Sequence, residues 1–399
     1  MKEKSVMILG ASELQLPAIR IAKKMGYKVI SVDYNPEAIG FEEADIKLVI
    51  STIDMEAVLE AARKYEPDYI FTSTSDAPVR TAAYVNEQLG RKIDISYADS
   101  ICVTDKSYMR KRLKENEVPI PEFYVVNNFD EFKQAVNRFT GKCVVKPADN
   151  AGSRGVHLLM GSNIEKGLEK EYEYTKKYSR TGIVLVEEYM SGREMSVESI
   201  TENGNTTVVT ITDKLVCELP YFVEIGHSEP AILSETEKES IIDITKKAIL
   251  AMKLINGASH TEIKLTKDGP KIVEIAARLG GDFITSKLVP LSTGINMVEQ
   301  SLNVVMEKKC DLRQRYDCGS AIRYIHCNSG KIKEINIDSA IYDDERIKEV
   351  VIYKKTDDIV TDLKTSNDRV GYVVANGKNA QDAIDAAENA LKLIEIELY

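Results

Sequence analysis

Short apolar runs and longer amphipathic stretches alternate from Val6 onward. Val6-Met7-Ile8-Leu9 ends at Gly10-Ala11-Ser12. A helical stretch from about Leu14 to Met25 then places Ile19, Ala22 and Met25 on one face, and Gly26 stops it. Lys28-Val29-Ile30-Ser31-Val32 reads as a second strand ending at Asp33, and Asp68-Tyr69-Ile70-Phe71-Thr72 as a later one. Strand and helix in this rhythm predict a parallel, doubly wound sheet over the first hundred residues. Asp33 stands about 20 residues beyond the first turn, where a dinucleotide site carries its ribose-binding acid. The glycine fingerprint of such a site is absent, since Ser12 and Gln15 follow Gly10. A tight strand-to-helix turn facing the crevice is the simpler expectation.

Further along, both periods mix. Asp105–Asn116 reads as a helix and Val118-Pro119-Ile120-Pro121 as a rigid connector. Cys143-Val144-Val145-Lys146 reads as a strand and Asn163–Tyr178 as a charged helix. Ile183-Val184-Leu185-Val186 is a buried strand opening onto Glu187-Glu188-Tyr189. Antiparallel strands, a helix at about Glu239–Leu254 and a hairpin turning at Lys267-Asp268-Gly269 follow. The last part holds strands around Ala321–Ile325 and Gly371–Ala375 and an Ala-rich helix, Gln381–Leu393.

Composition removes several function classes. The chain carries 53 Lys+Arg against 63 Asp+Glu, a net charge of −10, which argues against a broad nucleic-acid footprint. No apolar run approaches the ~20 residues of a membrane span. Met1-Lys2-Glu3-Lys4-Ser5 leads into only four apolar residues, so no signal peptide is expected. The six cysteines form no C-x-x-C pair and read as reduced thiols of a cytoplasmic protein. His326-Cys327 has no second ligand cluster, so no zinc site is expected.

Four groups of residues carry chemistry. Lys146 ends a strand, and the small-residue loop Asn150-Ala151-Gly152-Ser153-Arg154-Gly155 follows it, an arrangement that can aim backbone N–H groups at phosphates beside a lysine charge. Lys106 follows Thr104-Asp105 at a helix start. Glu187-Glu188-Tyr189-Met190 leaves a buried strand with backbone groups free for a base edge, and Glu194 is a candidate acceptor for ribose hydroxyls. Glu262 and Glu274 flank the Asp268-Gly269 turn, and a three-residue loop centred on Asp268 sets them directly opposite each other. Facing carboxylates repel, unless a hard cation such as Mg²⁺ lies between them and completes its shell with phosphates and water.

With these elements in this order, the chain resembles the ATP-grasp superfamily of carboxylate ligases. The elements are Thr104-Asp105-Lys106, Val145-Lys146-Pro147 with its glycine loop, Glu187-Glu188-Tyr189 with Glu194, and Glu262 with Glu274-Ile275-Ala276-Ala277-Arg278. The resemblance implies an α/β and α+β protein in three parts: a Rossmann-like domain over 1–100, a two-lobed ATP-grasp domain over 101–312 (lobes about 101–186 and 187–312), and a C-terminal α+β domain over 313–399. Lys106 and Lys146 would hold the phosphates of ATP, with Ser153 and Gly155 in the loop that closes over them. Glu187, Tyr189 and Met190 would line the adenine site, Glu194 the ribose site, and Glu262 and Glu274 would ligate Mg²⁺ (or Mn²⁺). Arg278 would face the acyl phosphate and its tetrahedral adduct.

One position departs from many relatives, Ala276 standing where they carry Asn. The Glu-Ile-Ala-Ala-Arg arrangement most resembles the L-amino-acid ligase branch. The segment Tyr221–Pro230 likewise looks like that branch's acceptor-site lining and makes His227 a catalytic candidate. The implied function is ATP-dependent joining of a small-molecule carboxylate to an amine, with release of ADP and phosphate, by a homodimer with no nucleic-acid or membrane partner. Activation of bicarbonate, as in biotin carboxylase or purine synthesis, is the alternative within enzymes, and non-catalytic nucleotide binding the alternative outside them.

Overall fold

The computed structural model describes residues 4–150, 152–160, 167–217 and 222–399. The first part runs β1 (Ser5–Leu9), α1 (Leu16–Lys24), β2 (Lys28–Asp33), β3 (Ile46–Val49), α2 (Met55–Tyr65), β4 (Tyr69–Phe71) and α3 (Ala77–Gln88). Its strands pair in parallel in the order β3-β2-β1-β4, as the opening rhythm predicts. Strand β1 is buried along its whole length because helices cover both faces of the sheet. Asp33 accepts a hydrogen bond from the Ala11 N–H at 2.8 Å, tying the end of β2 to the first turn.

After a short helix α4 (Tyr97–Ser100) come α5 (Lys106–Glu115), β5 (Phe123–Val126), α6 (Phe129–Val136), β6 (Lys142–Pro147), β7 (His157–Met160), α7 (Leu168–Lys176) and β8 (Val184–Glu188). The strands form a small antiparallel sheet, β5-β8-β6-β7, with Phe132 and Tyr172 of the two helices packed against it. The expected charged helix is found from Leu168; Asn163–Lys166, like Ala151 and Tyr221, lie outside the described residues.

Next come β9 (Arg193–Glu202), β10 (Asn205–Val216), β11 (Glu224–Glu229), α8 (Glu235–Ala251), β12 (Gly257–Thr266), β13 (Gly269–Ala276), α9 (Val289–Thr293) and α10 (Met297–Val305). The chain ends with β14 (Gly319–Ile325), β15 (Gly330–Ile337), β16 (Ile347–Ile352), β17 (Ile359–Val360), β18 (Gly371–Gly377), α11 (Ala380–Leu391) and β19 (Ile394–Leu398). One eight-stranded sheet runs through both stretches in the order β13-β12-β9-β10-β11-β14-β18-β16. It therefore crosses residue 312, where a boundary is expected from the sequence, without interruption.

The large sheet also explains where the site sits. Along β9 the residues Met195 and Val197 join Ile263, Ile272 and Ile275 and the apolar stripe of α8 in one core. The period of two then points Glu194, Ser196 and Glu198 to the other face. In register with them stand Glu262 and Lys264 of β12 and Thr212 and Lys214 of β10. One face of the sheet is thus polar although most of it is buried. Among the described residues no helix is long and apolar enough to cross a membrane.

Candidate active site

At the edge of the large sheet, the β12–β13 hairpin turns through two residues, Lys267 and Asp268, since Thr266 pairs with Gly269. That register alone would set Glu262 opposite Val273. A β-bulge between Glu262 and Ile263 adds one residue on β13 and brings Glu262 opposite Glu274. The predicted facing of the two carboxylates is present, but through a two-residue turn and a bulge in place of a three-residue loop. The bulged Val273 carbonyl accepts a hydrogen bond from the Arg110 guanidinium at 2.7 Å.

Helix α5 supplies the cations beside this hairpin. Asp105 caps it, its carboxylate accepting from the backbone of Ser107 and Tyr108. Lys106 in the first turn reaches Glu274 at 2.8 Å and the Asn150 carbonyl at 2.8 Å. Arg110, one turn on, is fully buried and donates to both oxygens of Glu187, at 2.7 Å and 3.1 Å. Lys146 reaches the same carboxylate at 2.6 Å. Burial and the Arg110 charge push the Lys146 ammonium down to about 8, against the pull of Glu187. Burial penalises the Lys106 charge as well, but Glu274 outweighs it and holds that group above the ordinary lysine range.

Two further charges stand on the polar face. Lys214, 3% exposed in its side chain, sits among Glu194 and Glu262, each at 3.0 Å, and Glu224 at 3.4 Å. His260 lies 2.6 Å from Glu198 and 3.6 Å from Glu262. Although burial opposes its charge, Glu198 raises the imidazole to about 9. Glu262 in turn is held well below the carboxylate range: desolvation opposes this, and Lys214 and His260 overcome it.

The hairpin, α5 and the polar face of the sheet border a cavity of about 270 Å³. Lys106, Lys146, Ser153, Glu187, Tyr189, Met190, Glu194, His227, Glu262, Glu274 and Arg278 all face it; of the predicted site residues, Gly155 does not. Gly155 has φ +76°, and a Cβ there would meet the Tyr178 ring at 2.8 Å, so the glycine lets the loop pack against the residues that follow α7. The Glu187 carboxylate is 3% exposed and spent on Arg110 and Lys146, which leaves its backbone to face a base. Arg278 donates to both oxygens of Asp76 at 2.8 Å and 3.1 Å, joining the hairpin to the N-terminal part.

At the far end, Glu224, His227 and Asp282 face the cavity beside Leu14, Phe222 and Ile284. Asp282 and Phe283 have φ of +50° and +61°, two successive left-handed residues without glycine, at a strain of about 1–3 kcal/mol each. Sequence motifs pointed to neither Lys214 nor His260; for His260 alone there was a signal, the alternation of His260, Glu262 and Lys264 with Ile263 and Leu265 along β12.

Residues 139–286 match the model of the ATP-grasp domain, and residues 323–399 match that of the L-amino acid ligase C-terminal domain 2. The chain therefore carries an ATP-grasp domain. It is 28% identical over 191 residues (47% of this chain and 48% of the relative) to the formate-dependent phosphoribosylglycinamide formyltransferase of Pasteurella multocida (strain Pm70). It therefore spans about half the length of that relative. It is 24% identical over 297 residues (71% of this chain and 68% of the relative) to the L-arginine-specific L-amino acid ligase of Bacillus subtilis. The crystal structure of L-amino acid ligase from Bacillus licheniformis superposes with a TM-score of 0.84 at 19% identity, covering 100% of each chain.

The donor set of this ATP-grasp site tests whether Mg²⁺ fits. Among the described residues no group of three or more His, Cys, Asp or Glu side chains forms a closed metal cage. Two facing carboxylates on a cavity that buried lysines also line suit an ion that takes one or two carboxylates and draws its other ligands from phosphate and water. Glu262 and Glu274 meet that description, each now paired with a lysine.

Proposed function

We propose that the protein is an ATP-dependent ligase that activates a carboxylate as an acyl phosphate and joins it to an amine, in the manner of an L-amino-acid ligase. One observation carries this reading: Glu262 and Glu274 face each other across β12–β13 while Lys106 and Lys146, from other elements, line the same cavity. Lys106 and Lys146 would hold the triphosphate, and the backbone at Glu187, Tyr189 and Met190 the adenine. Glu194, fixed between Lys214 and Lys264 at 3.0 Å and 2.8 Å, would accept the ribose hydroxyls. Glu262 and Glu274 would hold Mg²⁺, which when bound supplies charge neutralisation on the phosphates.

The carboxylate oxygen of the substrate attacks the γ-phosphorus, and the bond to the bridging oxygen breaks to release ADP. In such a transfer the protein positions and neutralises, and forms no covalent bond itself. The amine then attacks the acyl carbon, gives up its proton, and phosphate leaves. Arg278, held by Asp76, faces that second step and would stabilise its oxyanion.

Two features support an amino acid as substrate: acids and apolar side chains share the far end of the cavity, and the C-terminal part matches an L-amino acid ligase domain. Phosphate and ADP release over a matrix of carboxylates and amines tests the proposal; AMP and pyrophosphate in their place would sink it. Similarity to a formate-dependent enzyme favours a second reading, use of a one-carbon acid, and strict dependence of ADP formation on formate or bicarbonate would select it. We expect Glu274→Gln to abolish Mg²⁺-dependent ADP formation with an unchanged far-UV spectrum; retained activity removes Glu274 from the metal site. As a homodimer, the protein would scatter light at twice its 44.6 kDa.

A further inference from the structure

Behind the far end of the cavity stands a residue that no motif pointed to. Arg369 precedes β18 and is 6% exposed. Its guanidinium donates to the two oxygens of Asp282, at 3.0 Å and 2.8 Å. It also donates twice to the backbone carbonyl of Glu224, at 3.0 Å and 2.8 Å, and lies 3.4 Å from a Glu224 carboxylate oxygen. The flat of the group rests 3.7 Å from the centre of the Tyr324 ring, so stacking fixes its plane as well as its position. Glu224 and Asp282 line the cavity, and Arg369 does not. His227 lies 3.4 Å from the Asp282 oxygen that takes the 2.8 Å bond.

We propose that Arg369 is a positioning residue: it aims the carboxylates of Glu224 and Asp282 into the cavity, where they receive the ammonium group of an amino-acid substrate whose side chain rests on Leu14, Phe222 and Ile284. The proposal rests on the carboxylate–amine reading above and narrows its acid substrate. Two acids side by side repel each other, and a buried guanidinium on their inner side offsets that repulsion while leaving their outer lone pairs to the cavity. The fork geometry matters, because it joins a side chain on one loop to a backbone carbonyl on another strand. A lysine is a point charge and cannot hold both. The left-handed backbone at Asp282 has no local preference to keep the carboxylate in place, and the fork supplies it.

Acyl phosphate formation from each common L-amino acid is compared with that from its des-amino counterpart, with hydroxylamine capturing the acyl group as hydroxamate and phosphate leaving. The wild-type chain is expected to prefer the amino acid by at least about tenfold in kcat/KM. Arg369→Lys and Asp282→Asn should each bring that ratio close to one, raise the amino-acid KM by about 10–100-fold, and leave the KM for ATP within about twofold. A merely structural role would shift both KM values and keep the ratio. An unchanged ratio in both variants overturns the positioning role while the ligase reading stands. Absence of hydroxamate from every acid with the wild-type chain overturns both. Asp282→Asn alone decides the matter if Arg369→Lys fails to fold.

Discussion

Lys146 makes the site dependent on pH. Its ammonium, pushed down to about 8 by burial and Arg110, is charged below that pH and neutral above it. A phosphate needs the charged form, so the KM for ATP should rise as pH passes about 8, and binding above that pH should take up a proton. Calorimetry in buffers of different ionisation heat measures the uptake, and Lys146→Arg, which stays charged, should remove it. Glu229 poses the opposite problem. Its fully buried carboxyl, bonded to the Thr212 and Ser292 hydroxyls at 2.9 Å each, is raised to about 8 by desolvation. Between the unfolded value near 4.5 and 8 the folded chain binds more protons than the unfolded one, so stability falls as pH rises through this window. Glu229→Gln, which is neutral throughout, should therefore raise Tm more at pH 8 than at pH 5, by about 1 °C for each kcal/mol relieved. An equal gain at both pH values would show the carboxyl to be neutral in neither case.

At the scale of elements, the sequence announced the strands and helices that carry their own punctuation. The β1–α1–β2 unit, α5 and the β12–β13 hairpin have turn residues and periodic apolar positions that need no tertiary information. The bulge beside Glu262 has none: the Val273 carbonyl at it finds its partner in Arg110, from a helix far away in the chain. Lys214 and Arg369 were hidden for the same reason. A lone basic residue on a strand or loop looks solvated until another strand brings carboxylates to it. The start of β9 depends on such a close approach. Gly192 has φ +147°, and a Cβ there would lie 2.1 Å from the Leu265 carbonyl oxygen. Backbone cannot swing away as a side chain would, so Gly192→Ala should lower stability by about 1–3 kcal/mol in denaturant titrations. It should also raise the KM for ATP, because Glu194 lies two residues on. Unchanged stability would mean that β12 gives way freely.

On the scale of the whole molecule, the cavity takes walls from every part of the chain: Leu14 from the N-terminal part, Glu187 and Glu274 from the middle, and Ser366 from the end. The continuous eight-stranded sheet makes this possible, and it limits how the chain can be taken apart. Strand β11, which carries Glu224 and His227, pairs with β10 on one side and with β14 on the other. A chain ending at residue 312 should leave that second edge of β11 bare, with its N–H and C=O groups facing water. We expect such a truncation to aggregate in size-exclusion chromatography, and a soluble monodisperse product would refute this.

Evolution meets the same constraint as the protein engineer. The C-terminal stretch has the look of a cassette, with its own helix and a small sheet, β17-β15-β19. Yet exchanging it between relatives would exchange β14, the strand that shares hydrogen bonds with β11 in the cavity wall. A new C-terminal stretch would then arrive as a change of specificity.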